Sequence, residues 1–96
     1  MKLEVSEVNI TPIKPVSGLV AFASCVVYES LYLGSIGIYT RLGGGYRLTF
    51  PTKTTGEKQL NIFHPINKTV GEYLEKVITE KYEEVMNKNN DRYSST

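Results

Sequence analysis

Only one stretch of this 96-residue chain repeats its apolar residues at helical spacing, and it comes late. Val70, Tyr73, Leu74, Val77, Ile78, Tyr82 and Val85 fall on one side of a 3.6-residue period, while Thr69 with Glu72 three residues on has the form of a capping box. The spacing predicts a helix from about Thr69 to Asn87, stopped in Asn87-Lys88-Asn89-Asn90 and followed by a polar, disordered tail over residues 88–96. Lys81 falls inside the apolar stripe, so either its stem lies along the sheet with the ammonium in water, or the packing face has rotated by then. The segments before Thr69 read as strands, and the fold class expected is α+β: an antiparallel sheet of about five strands packed against a C-terminal helix. With 41% hydrophobic and 22% charged residues the chain has enough apolar material for one modest core, so residues 1–87 form a single domain.

The strands follow from alternation and punctuation. Lys2 to Thr11 alternates loosely with a change of phase, which suits an edge strand with a bulge. Pro12 and Pro15 bracket a connection, and Ser17-Gly18 signals a turn. Leu19 to Tyr28 is the most apolar run and predicts a central strand covered on both faces. Leu19, Ala21, Ala23, Cys25 and Val27 share one side of it, and the small residues at its centre invite a helix to lie across Ala21, Ala23 and Cys25. Leu31 to Leu42 is a third strand, bent or bulged at Gly34 and Gly37. Gly43-Gly44-Gly45 then forms a hairpin turn; no helix start and no Gly-Lys-Ser/Thr follow it, so a phosphate-cradling loop is disfavoured. Tyr46 to Phe50 alternates with Tyr46, Leu48 and Phe50 on one face and Arg47 and Thr49 on the other, and Lys58 to Phe63 is a short fifth strand.

Function is expected where that pattern breaks. Pro51 ends the strand at Phe50, and Thr52-Lys53-Thr54-Thr55-Gly56-Glu57-Lys58 carries two lysines over a polar loop before His64-Pro65. The segment is too polar for core and predicts a hairpin displayed at one end of the sheet. The net charge of +1 gives no global signal, but its distribution is uneven. From Arg41 to Lys68 five basic residues stand against one acid, Glu57; from Thr69 onward six acids face four bases. Arg41 and Arg47, flanking the glycine turn, could project on one face beside Lys53 and Lys58 and make a positive patch away from the acidic helix. Solvation alone is the plainer account of such a stretch. Tyr39, which shares strand parity with Arg41, is the aromatic considered for nucleic-acid contact, the others being read as core-facing.

Other chemistry finds little support. His64 has no cysteine pair or second histidine beside it, and is read as fixing the turn into the helix. Cys25 cannot form an internal disulfide and reads as a small core residue. No catalytic constellation, cofactor or small-molecule substrate is indicated, and an enzyme is not expected. Without a basic-then-apolar leader or an apolar run near the ~20 residues a membrane span needs, a cytoplasmic protein is expected, and the acceptor-like triplets at Asn9 and Asn67 carry no weight.

Taken together, Val20-Ala21-Phe22-Ala23-Ser24, Phe50-Pro51-Thr52-Lys53-Thr54 and Asn61-Ile62-Phe63-His64-Pro65-Ile66-Asn67 before a C-terminal helix resemble the SpoVG (stage V sporulation protein G, septation protein) family, in the same order from Lys2 to about Val85. The resemblance implies a dimeric bacterial regulator that binds DNA and RNA with basic residues at and after the Pro-Thr-Lys turn. Carried over by position, Lys53 matches the first basic residue of that turn. Thr54 stands where the family commonly has a second, the loop is about one residue shorter, Gly34-Ser35-Ile36-Gly37 replaces an often charged segment, and Asn61 replaces an aspartate. The expected site is therefore Lys53, Lys58, Arg47, Arg41 and Thr54, its ligand nucleic acid held weakly and salt-sensitively by a homodimer, with no membrane partner. A dimeric module that binds another protein through a strand edge or the acidic helix face is the competing reading.

Overall fold

The computed structural model describes residues 3–94, with side chains as far as Asn87. Six strands precede one helix: β1 (Val5–Val16), β2 (Leu19–Val27), β3 (Leu31–Thr40), β4 (Tyr46–Thr49), β5 (Thr52–Thr55), β6 (Lys58–Asn61) and α1 (Lys68–Ser94). The first four form one antiparallel sheet in the order β1-β2-β3-β4, and β5 pairs only with β6 in a separate two-stranded ribbon. This is the expected α+β architecture.

The strand ends follow local chemistry. β1 is an edge strand with a register irregularity between Ser6 and Asn9, where Glu7 takes a positive φ of 47°. It does not stop before the prolines: Pro12 and Pro15 lie within it, correcting the expected connection. An edge strand has an outer side with no partner, so a missing N–H there breaks no ladder bond, and the register loosens between Pro12 and Val16. Ser17 and Gly18, both at positive φ, then close a two-residue primed turn between Val16 and Leu19.

α1 crosses the small-residue stripe of β2. Ala21, Ala23 and Cys25 are buried with Ile36 and Ile38 of β3 against Leu74, Ile78 and Tyr82, and Val8 and Ile10 of β1 pack at the margin. Small side chains on the sheet let the helix axis approach, so Ile78 meets the sheet with no exposed surface. The buried helical line 74-78-82 continues to half-buried Met86 at i,i+4 spacing, leaving Lys81 beside it with Nζ 3.7 Å from Glu84 Oε1.

Two expectations for β2 need correction. Leu19 is not on the helix side, because the register slips between Leu19 and Ala21. That bulge turns Val20 into the core cluster and leaves Leu19 Cδ1 with Thr49 Oγ1 around Gly37 on the other face. Nor is β2 covered on both faces: it is central, but Phe22 on the far side is 41% exposed. In β3 the expected irregularity falls at Gly34-Ser35, between the pairs Ala23–Ile36 and Cys25–Leu33, with Ser35 at φ 59°.

β3 ends at Thr40, two residues short of the expected Leu42, and the turn to β4 is held by Arg41 N donating to Gly45 O (3.0 Å) and Gly44 N to Arg41 O (3.1 Å). All three glycines adopt φ between 81° and 107°, where a side chain would be strained. Tyr46, Leu48 and Phe50 face the core as alternation predicts, Tyr46 meeting Tyr82 edge-to-face at 5.1 Å and Phe50 meeting Phe63 at 6.0 Å. The helix cap is Asn67, not Thr69: Asn67 Oδ1 accepts from Thr69 N at 2.8 Å and Val70 N at 3.3 Å. α1 runs to Ser94, past the expected stop at Asn87, as no proline or glycine interrupts it. The rest of the expected tail, Ser95 and Thr96, lies outside the described residues.

Candidate nucleic-acid interface

The proline at 51 stops the main sheet, and the chain restarts as a ribbon of its own. Thr52 to Thr55, expected as the polar loop part of a displayed hairpin, form β5 and pair with Lys58 to Asn61 around a turn in which Gly56 has φ 64°. Polar β-branched threonines suit an exposed strand, which is why the loop-like composition still pairs. Ile62 N donating to Pro51 O at 2.9 Å closes its base. Residues opposite each other in an antiparallel pair share a face, so the pairs Lys53–Leu60 and Thr55–Lys58 put both lysines on one side. Thr54, opposite Gln59, faces the other way. Every residue of β5 and β6 is exposed, and among the described residues neither lysine has a carboxylate within ion-pair distance.

The two arginines do not join a single patch. Arg47 is on the sheet face turned away from α1, with Cζ 4.8 Å from the centroid of the Tyr39 ring. Arg41 leaves the sheet at the glycine turn and reaches the helix, Nη2 lying 3.4 Å from Glu75 Oε1. The hollow around Arg41, about 390 Å³, is also bordered by Glu72, Glu80 and Lys76. Three carboxylates against Arg41 and Lys76 leave this hollow without a net positive charge to attract phosphate. The expected single patch of Arg41, Arg47, Lys53 and Lys58 is thus corrected for Arg41, because parity along β3 does not survive the turn.

The far sheet face also carries aromatics that the sequence reading assigned to the core. Tyr32 is 69% exposed there, alongside Phe22 and half-buried Tyr39. Their signal was the alternation of β2 and β3; what hid them was the assumption that an apolar central strand is covered twice. His64 is exposed and its Nδ1 lies 3.2 Å from Pro65 O, at the turn into α1. Burial pushes the Cys25 thiol above its usual range. Among the described residues no group of three or more His, Cys, Asp or Glu could hold a metal ion, and no helix is long and apolar enough to cross a membrane.

A four-stranded antiparallel sheet backed by one C-terminal helix, with an exposed lysine-bearing ribbon at its end, defines a small α+β domain built to present a loop. The SpoVG family model matches residues 3–84, and the chain belongs to that family. No curated protein matches it.

Proposed function

We propose that this chain is a SpoVG-type bacterial regulatory protein that binds DNA or RNA as a homodimer, the ribbon β5–β6 making the phosphate contacts. The observation that carries the reading is the common face of Lys53 and Lys58, exposed and free of carboxylate partners among the described residues. Arg47 adds a third cation from the sheet face, held by Tyr39. Family membership supports the reading. Lysine contacts to phosphate hold the polymer without reading sequence, so binding should be weak and strongly salt-dependent.

The test is fluorescence anisotropy of a labelled oligonucleotide at low salt, with sedimentation to establish the dimer. Lys53→Ala with Lys58→Ala should weaken binding and flatten the slope of log K against log salt by about 1.8 on duplex DNA, about 0.9 for each lost contact. Unaltered affinity removes these lysines from the site. Leu60 and Ile62, 50% and 61% exposed beside the lysines, favour the second reading, a protein-interaction module. Partners recovered by pull-down without measurable nucleic-acid affinity would select it.

A further inference from the structure

The sheet face turned away from α1 has a composition unlike ordinary solvated sheet. Such a face usually alternates to polar residues, but here Phe22, Tyr32 and Tyr39 project from adjacent strands. A groove of about 260 Å³ runs between Phe22 and Tyr32 and is bordered by Asn9, Thr11, Ser24 and Ser35. One amide and three hydroxyls offer both donors and acceptors, as the edge of a nucleobase requires, and the two rings offer its faces a stacking surface. Tyr32 is held flat along the strand: a Cβ on Gly34 would sit 2.8 Å from its Cε2, so the ring occupies space that only glycine leaves open. Arg47 lies over Tyr39 on the same face, a guanidinium already stacked and still exposed.

Charge selects the occupant. No carboxylate stands at a registered outward position on any of the four strands of this face, and Arg47 supplies a cation, while the helical glutamates lie on the other side of the sheet. Among the described residues the one acid within these four strands is Glu7, exposed in the β1 bulge at the opposite edge of the sheet from Arg47, so an anionic polymer is favoured toward the β3–β4 side. A duplex keeps its bases stacked on each other and cannot offer their faces to a sheet, whereas a single strand can. We propose that this face is a stacking platform for single-stranded nucleic acid, with one base in the Phe22–Tyr32 groove and a neighbouring base at Tyr39 and Arg47. The inference rests on the nucleic-acid reading above and specifies its ligand as single-stranded.

The test measures anisotropy with a fluorescein-labelled single-stranded RNA, the same sequence as single-stranded DNA, and the corresponding DNA duplex. Tyr32→Ala should weaken binding of both single strands about five-fold or more and leave the duplex unchanged, while Tyr32→Phe, which keeps the ring, should match the parent. Equal single-strand affinity of Tyr32→Ala and the parent overturns the platform. If that affinity falls only with Lys53→Ala and Lys58→Ala, the ribbon reading survives and the platform does not. A parent that binds no probe at low salt removes both. A changed sedimentation coefficient for Tyr32→Ala with unchanged affinity assigns the face to self-association and likewise overturns the proposal. Photocrosslinking of 4-thiouridine RNA to the parent protein needs no variant: adducts should map to β2 and β3, and adducts confined to β5–β6 contradict the platform.

Discussion

Replacing Ile78 with alanine tests the packing on which every other placement depends. Its side chain has no exposed surface and lies among Ala21, Ala23, Ile36, Ile38 and Tyr82. The change removes three carbon groups, worth roughly 2.4 kcal/mol at about 0.8 kcal/mol each. The space does not close easily. Ala21 and Ala23 are too short to reach into it, and Ile36 and Ile38 are fixed by pairing of β3 with β2. A residual cavity adds to the transfer loss, bringing the expected cost to about 3–4 kcal/mol, within the range for large-to-alanine changes in cores. Against a total of about 5–15 kcal/mol for a domain, that is a large fraction. The melting temperature should fall by roughly 12–30 °C for a chain of this size. Urea unfolding followed by far-UV circular dichroism measures the free-energy loss and a thermal scan the melting temperature, with Glu80→Ala on the exposed side of α1 as control, expected within about 0.5 kcal/mol of the parent. A loss below about 1 kcal/mol for Ile78→Ala, or equal losses for the two variants, would refute this seat for the helix.

Asn67→Ala removes the acceptor for two backbone N–H groups at the start of α1 and should cost about 1 kcal/mol in the same urea titration, whereas Thr69→Ala should cost less. Arg41→Ala should leave the salt slope of nucleic-acid binding unchanged, since its guanidinium is engaged by Glu75; a drop comparable to that from removing both ribbon lysines would return Arg41 to the site. Stability should fall on the alkaline side. Burial holds the protons of Cys25 and Tyr82 more tightly in the folded chain, with Tyr46 adding to the effect on Tyr82. The unfolded chain therefore releases these protons first, and stability that is complete below the usual Cys value of 9.0 declines as pH rises past it. Urea midpoints that stay level from neutral to about pH 10.5 would contradict that sign.

How much was legible depended on whether a residue's partner could be inferred locally. The helix stripe, the alanine seam of β2, the alternation of β4 and the displayed ribbon after Pro51 all follow from periodicity and from what proline forbids. The Asn67 cap was missed because Thr69 and Glu72 spell a capping box, while the helix starts two positions earlier, with Asn67 Oδ1 accepting from the N–H groups of Thr69 and Val70. Leu19 went to the wrong face because a single bulge at Val20 inverts parity, and nothing in Leu19-Val20-Ala21 marks it. Of the site, the shared face of Lys53 and Lys58 was not legible. It depends on a register, Lys53 opposite Leu60, that became visible only once Thr52 to Thr55 paired as a strand.

The same dependence on register divides the cations. Along β4 a residue and its neighbour point to opposite faces, so Arg47 is committed to the far side of the sheet as soon as Tyr46 and Leu48 enter the core. Arg41, at the start of a turn of three glycines at positive φ, lies beyond the pleat of β3, and its guanidinium pairs with Glu75 on α1. Sequence distance thus predicted one patch where electrostatics and the pleat produce separate positions. An anion approaching this domain meets Lys53 and Lys58 on the ribbon and Arg47 on the aromatic sheet face, while the Arg41 corner is already neutralised by the protein's own carboxylates. The chain's nearly balanced total charge therefore conceals an uneven distribution, and under the proposed nucleic-acid reading it is where Lys53, Lys58 and Arg47 stand, more than the total, that decides where a polyanion would make contact.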